Sequence, residues 1–399
     1  MADGSWWAHQ AYYRRATAYA AILKPRDALK DFRMCARLDP NNKDVQLKLK
    51  ECDRAVKQLN FFAAIEVGDE PSVADSLNVD TIAVDSSYDG MHLGNEMTQE
   101  FIDDMTERFK NGKTIHRKYV YQIVIAVKNI VYNEPTMVEV DIPEDVQLTV
   151  CGDTHGRFST WVAGRGSMLT GRPGQYFDLM ELFRLNGKPS DKQWYLFNGD
   201  FVDRGSWSTE IALLLYANKW LRPNNFFINR GNHETDDMNR AYGFEGECKA
   251  KYNEMYGDPL SLEECASLTL HSTFKLFSES FSALPLATLI GQKFFVLHGG
   301  LFSDDNVTLD DIRKLDRHIQ RQPGQAGLMM EMLWTDPQTE PGRGPSKRGV
   351  GMQFGPDVTK RFCEKNGLEA VIRSHEVRME GYEEEHDGKC ITGESRTRR

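Results

Sequence analysis

The spacing of hydrophobic positions changes along this chain. Over residues 11–40 apolar side chains recur at helical intervals and break at Lys24-Pro25, which predicts two antiparallel helices. Residues 43–62 continue as a solvated helix. The pattern is lost over 66–97, an acidic stretch interrupted by Gly68, Pro71, Gly90 and Gly94 that reads as a linker. Helical spacing returns within 98–143. There Phe101, Met105 and Phe109 share one face, and Val120, Ile123, Val124, Val127 and Val131 share another, so both should pack on a following domain. Farther on, apolar residues come in short unbroken runs. Residues 146–150, 194–197, 226–228, 294–297 and 370–372 predict buried strands of an α/β domain over 144–392.

Each run ends near a side chain able to hold a metal or a phosphate. The first leads to Asp153 and His155, the second to Asp200, Asp203 and Arg204, and the third to Asn232, His233 and Glu234. The last two lead to His298 and His375. Open α/β sheets gather ligands at the carboxyl ends of their strands. Asp153, His155, Asp200, Asn232, His298 and His375 form a mixed oxygen and nitrogen set that suits two divalent transition ions. Two neighbouring ions need a shared anion, and Asp200, on the middle strand, is the natural bridge. Such a pair would clamp a phosphoryl oxygen and draw the pKa of a bridging water towards neutrality, giving hydroxide for in-line attack. Arg204 and Arg348 could neutralise phosphate oxygens as planar forks. Asp203 beside His233 offers an acid held by a carboxylate, suited to protonating a leaving alkoxide. A lone Asp or His at a strand end is more often a cap or a satisfied core residue. Four of ten histidines at such ends favour a site.

Composition narrows the field. A chain of 399 residues, 40% apolar and 27% charged, accommodates one large catalytic domain and a smaller accessory one. The net charge of -10 argues against a nucleic-acid or membrane-surface binder. Seven scattered cysteines without a Cys-x-x-Cys pair suit reduced thiols, hence cytoplasm or nucleus. Neither a signal peptide nor an apolar run of membrane-spanning length is evident.

With these residues in view, the chain resembles the PPP family of serine/threonine protein phosphatases. Gly152-Asp-Thr-His-Gly156, Gly199-Asp-Phe-Val-Asp-Arg-Gly205, Arg230-Gly-Asn-His-Glu234, His298-Gly-Gly-Leu301 and Arg373-Ser-His-Glu376 are similar to its signature set. The leading helices are similar to one tetratricopeptide repeat, a unit of roughly 34 residues. With Tyr242-Gly-Phe-Glu-Gly-Glu247 and Gln353-Phe-Gly-Pro-Asp-Val-Thr359 they resemble the tetratricopeptide-containing branch of the family. The resemblance implies a calcineurin-like metallophosphoesterase sandwich, two sheets flanked by helices, behind an all-α tetratricopeptide segment over 1–65. It implies one ion on Asp153, His155 and Asp200 and another on Asp200, Asn232, His298 and His375, the pair being manganese, or iron with zinc. It also implies phosphate contacts from Arg204, Asn232, His233 and Arg348, with His233 as general acid oriented by Asp203, and phosphoprotein substrates. Arg14 matches a residue with which that branch grips the acidic C-terminal peptide of a heat-shock chaperone, but Gln10 stands where a lysine is expected.

Three further departures bear on what the chain can do. An extra Gly-rich, basic segment, 157–174, precedes a helix resuming at Gln175-Tyr-Phe-Asp178. It reads as retained non-coding sequence, with a lid over the metal site as the alternative. Residues 256–272 interrupt a helical region between Lys251-Tyr252 and Lys275-Leu-Phe277. After Thr392, where the family would run a further strand, closing strands and an autoinhibitory helix, residues 393–399 match nothing, and an open sheet edge is expected. Two readings compete with the phosphatase: a non-catalytic remnant acting through its helical segment, and a phosphodiesterase or nuclease on the same scaffold.

Overall fold

The computed structural model of the protein describes residues 10–17, 19, 25–40, 42–50, 52–53, 72–155, 175–252, 273–378 and 381–393. The segments expected as insertions, 157–174 and 256–272, the helix end expected over 54–62 and the tail residues 394–399 lie outside the described residues. The chain divides into two compact units, Met1–Glu70 and Pro71–Arg399.

In the first unit, residues 10–17 and 43–50 are helical on either side of the helix Pro25–Leu38. Small residues meet large ones in its core, where Ala16, Ala28, Leu29, Phe32 and Cys52 are buried together. Tyr13 meets Phe32 edge-on, 5.8 Å between centroids. Arg15 donates to both oxygens of Asp31, at 2.6 and 2.8 Å, and Tyr13 donates to Asp44, so polar bonds tie the three helical stretches together. Arg14 is exposed.

The second unit corrects the expectation of a linker for residues 72–97, while 66–71 lie outside the described residues. Val73, Ala74, Leu93 and Met97 are buried, and Leu77, Val79, Ile82, Val84 and Tyr88 pack against the same cluster. These apolar residues follow neither helical nor strand spacing, so the acidic neighbours dominate the pattern. Glu279 pins the start of the strap, accepting from Val73 N at 2.6 Å, Ser72 Oγ at 2.9 Å and Ala74 N at 3.2 Å. Helices Gln99–Lys110 and Arg117–Tyr132 bury the expected faces, the first capped by Thr98, whose hydroxyl accepts from Phe101 N. Arg317 is buried at the end of the second. It donates to Val131 O and Glu134 O at 2.6 Å each, to Ala283 O at 3.0 Å and to Thr136 Oγ1 at 3.1 Å. Carbonyls that a helix end leaves open are satisfied this way.

Strands β2 (Gln147–Cys151), β3 (Gln193–Asn198) and β4 (Phe226–Asn229) form a parallel sheet with β3 in the middle. A mixed six-stranded sheet runs in the order β1 (Met137–Val140), β5 (Ala287–Ile290), β6 (Phe294–Leu297), β10 (Ala370–Arg373), β12 (Cys390–Gly393) and β11 (Tyr382–Glu385). Side chains alternate along each strand, so the two faces of a sheet meet different cores. Leu196 and Phe227 of the small sheet pack with Val140, Ile290 and Val296 of the large one. Their neighbours Tyr195, Phe197, Phe226 and Ile228 join the helical cluster outside. Across the large sheet, Leu289, Phe295, Leu297 and Val371 pack with residues of helices Leu328–Trp334 and Pro356–Asn366. The architecture is the expected two-sheet sandwich flanked by helices. A small third sheet, β7 (Asp336–Pro337), β9 (Met352–Phe354) and β8 (Arg343–Pro345), supports the turn bearing Arg348. Thr392 does not lie at an open edge. It is buried within β12, which is paired on both sides, and β11 is the outer strand.

Replacing Glu279 by Ala should leave two backbone N–H groups and the Ser72 hydroxyl without their acceptor, at a cost of about 1–3 kcal/mol. Hydrogen exchange read by mass spectrometry should show faster exchange over 72–84, with β3 and β4 unchanged; equal protection in the variant would refute the pinning.

Candidate metal centre

Strands β3 and β4 end side by side, and the turns beyond them touch. A Cβ on Gly199 (φ 84°) would stand 2.4 Å from Gly231 N, and one on Gly231 would stand 2.3 Å from Asp200 Oδ1. Neither position admits a side chain. Glu234, fully buried, folds back and accepts from Gly231 N and Asp200 N at 2.8 Å and from Phe201 N at 2.9 Å. Its pKa is pushed up to about 7, by burial first and then by the charge of Asp200. Asp200 (φ 53°), Asp203 (74°), Arg204 (60°) and His375 (72°) hold left-handed backbone, four of the seven such non-glycine residues among those described. Strain of this kind collects at functional sites.

The six expected ligands converge here. His298 Nε2 lies 2.9 Å from Asn232 Oδ1, 3.1 Å from His375 Nδ1 and 3.3 Å from Asp200 Oδ2. His155 Nε2 lies 3.4 Å from Asp200 Oδ2 and 3.8 Å from Asp153 Oδ2. His375 N donates to Asp153 Oδ1 at 3.0 Å. Backbone carbonyls fix two of the rings from behind, His155 Nδ1 at 2.8 Å from Val202 O and His298 Nδ1 at 2.9 Å from Asn198 O. Two donor groups result, His155 with Asp200 and His233, and Asp200 with His298 and His375, each with its ligand atoms within 4.8 Å of one another. Asp200 belongs to both.

Electrostatics binds the cluster together. Burial opposes the ionised form of Asp200, yet His298, His233 and His155 hold its carboxyl well below the usual range. Burial likewise opposes the charged form of His298, but Asp200 outweighs it and pushes the imidazole up to about 9. Asp153 is raised to about 6 by burial and then by Asp200, and His155 is lowered to about 3 mainly by burial. Nε2 of His233 and of His375 are buried without a hydrogen-bond partner. Unpaired buried nitrogens are costly, and carboxylates, an amide oxygen and imidazoles are donors that divalent transition ions accept. The residues present fit a two-ion centre.

The expected phosphate-binding groups ring this cluster. His233 Nδ1 is 2.9 Å from Asp203 Oδ2, and Asp203 also accepts from Asn239 Nδ2 and Phe244 N at 3.0 Å. Arg204 is exposed, its guanidinium 5.4 Å above the Tyr242 ring. Arg348 donates from Nε to Asp336 at 2.6 Å and from Nη2 to His375 O at 2.9 Å. Arg14 belongs to the other unit.

Sequence reasoning passed over what stands behind the site. Asn198 Nδ2 donates to Leu297 O at 2.7 Å and Ser374 Oγ at 2.9 Å, and its Oδ1 accepts from Asn229 Nδ2 at 2.9 Å, joining the two sheets. Two asparagines ending adjacent apolar strands were the available signal. Asp336, which accepts from both Arg348 and the buried Arg373, had none, since its partners are remote in sequence.

Fold and site together define a metallophosphoesterase. The calcineurin-like phosphoesterase profile matches residues 146–379, and that of the PPP5 TPR repeat region matches residues 49–139. Serine/threonine-protein phosphatase T of Aspergillus oryzae is 69% identical over 96% of this chain and 73% of its own length. Human serine/threonine-protein phosphatase 5 is 46% identical over 96% of this chain and 70% of its own. A solved Saccharomyces cerevisiae serine/threonine phosphatase, described as similar to human phosphatase PP5, superimposes with a TM-score of 0.64 at 46% identity, covering 75% of this chain and 83% of that one. The chain belongs to the PPP family of serine/threonine protein phosphatases, in its phosphatase 5 and phosphatase T group. It is a hydrolase of phosphoric monoesters.

Glu234→Gln should cost about 2–3 kcal/mol, because the amide nitrogen must face N–H groups that the carboxylate now accepts. Denaturant unfolding checks this; stability equal to wild type would remove Glu234 as the brace.

Proposed function

We propose that this centre removes phosphate from phosphoserine and phosphothreonine in proteins, using two divalent ions, manganese or iron with zinc. Asp153, His155 and Asp200 would hold one, and Asp200, Asn232, His298 and His375 the other. Bound there, the ions would supply positive charge for the phosphoryl oxygens and acidify water. Arg204 and Arg348 orient the phosphate as planar forks, Arg348 being preset by Asp336 and the His375 carbonyl. Asn232 adds an amide at the same edge. The observation that carries the reading is His233, whose Nδ1 is tied to Asp203 while its buried Nε2 has no partner. With Nδ1 held by the carboxylate, Nε2 faces the donor cluster and can pass a proton to the departing serine or threonine oxygen.

For the first unit we propose that Arg14 takes part in binding an acidic peptide, the C-terminal tail of a heat-shock chaperone being the candidate. Its exposure and the 46% identity to human serine/threonine-protein phosphatase 5 over 96% of the chain support this. We place the protein in cytoplasm or nucleus, where the buried thiols Cys151, Cys248, Cys363 and Cys390 would stay reduced.

Asp200→Asn should weaken manganese uptake by about 100-fold or more, since both donor groups lose their common carboxylate. Metal analysis after equilibrium dialysis measures it, and undiminished binding of two ions per chain would refute the shared role. Asp203→Asn should lower kcat on a phosphoserine peptide by about 100-fold to 10,000-fold. An aryl phosphate with an acidic leaving group should lose far less; equal losses on both substrates would remove His233 as the acid.

A further inference from the structure

The turn that carries Asp203 and Arg204 is held along its length by one helix, Phe244–Tyr252. At the helix start Phe244 N donates to Asp203 Oδ1 at 3.0 Å. One turn on, Glu247 Oε1 accepts from Thr209 N at 2.8 Å and from Thr209 Oγ1 at 2.9 Å. A further turn on, Lys251 Nζ donates to Ser206 O at 2.7 Å and reaches Glu210 Oε1 at 2.7 Å and Glu247 Oε1 at 2.9 Å. Residues 244, 247 and 251 follow the spacing that puts side chains on one helix face. Just ahead of the helix, Tyr242 O accepts from Arg204 N at 3.3 Å. Asp203 and Arg204 are consecutive left-handed residues, a conformation that persists only when the surroundings hold it.

The hold is an unbalanced one. Glu210 is 3% exposed and the Glu247 side chain 7%, and both lean on the single ammonium of Lys251. Without that ammonium, two buried carboxylates would face each other and the Ser206 carbonyl would lose its donor.

We propose that Lys251 is a positioning residue for phosphate hydrolysis. With Glu247 and Glu210 it fixes the 204–209 part of the turn, so that Arg204 meets the substrate phosphate, while Asp203 is held separately by Phe244 N and Asn239. The proposal rests on the role given above to Arg204. Lys251 acts through the Ser206 carbonyl and does not itself touch the phosphate.

The test is steady-state kinetics on a phosphoserine peptide with the full chain, comparing wild type, Lys251→Met, Arg204→Ala and the double variant. Lys251→Met should lower kcat/KM by about 10-fold, chiefly through KM, as a displaced phosphate-binding group would. In the Arg204→Ala background the same change should cost less than about 2-fold, because the group it positions is gone. Equal fold-losses in the two backgrounds, or a fall in kcat at unchanged KM, would overturn the proposal. Arg204→Ala with wild-type kinetics would overturn the role of Arg204 and this inference together. A clear Arg204→Ala loss beside an unaffected Lys251→Met would overturn this inference alone. Should Lys251→Met not fold, Glu210→Gln/Lys251→Met keeps the net charge of the cluster and is expected to raise KM alike; an unchanged KM there sinks the idea.

Discussion

The contact between Gly199 and Gly231 decides what the rest of the sandwich can do. Two backbone turns meet there with no space for a methyl group, and the Glu234 carboxylate ties three of their N–H groups to one point. That crossing sets Asp200 in place between the ends of neighbouring strands. It also presents His233 N to Asp200 Oδ1 at 2.8 Å, so these two side chains share a single backbone frame. Helices and sheets around it keep this junction buried.

Around the junction, charge is balanced locally. Three imidazoles favour the ionised form of Asp200 against its burial, and the carboxylates of Asp200 and Asp153 raise His298 against its own. The set is tuned as one object. A carboxylate brought there alone would neutralise itself by taking a proton. Behind it, Asn198 and Asn229 carry polar bonds across a sandwich interior otherwise built from Val, Leu, Ile and Phe, with Thr288 donating to Asn229 at 2.8 Å.

Much of this was legible from residue order. The five apolar runs became β2, β3, β4, β6 and β10, and the faces expected on the two helices before them are the buried ones. Asp153, His155, Asp200, Asn232, His298 and His375 stood out because metal-binding side chains follow strands, and strand ends are where a sheet exposes function. The strap over 72–97 was not legible, because its apolar residues pack individually with no repeating interval. Nor were Glu234 as a brace or Asp336 as the link between Arg348 and Arg373, since only the folded chain makes them neighbours. Lys251 looked like any other helix-surface lysine until the turn it supports was in view.

The pinning of Ser72, Val73 and Ala74 by Glu279 spans more than 200 positions of sequence, and Arg317 reaches back nearly as far to Val131. Translation runs in one direction at about 5–20 residues per second. The strap therefore leaves the ribosome tens of seconds, in order of magnitude, before its anchor has been made. Tyr88 can settle on Tyr119 as soon as the next two helices exist, but the N–H groups of Val73 and Ala74 have no Glu279 to receive them until much later, so the strap is secured from its far end first.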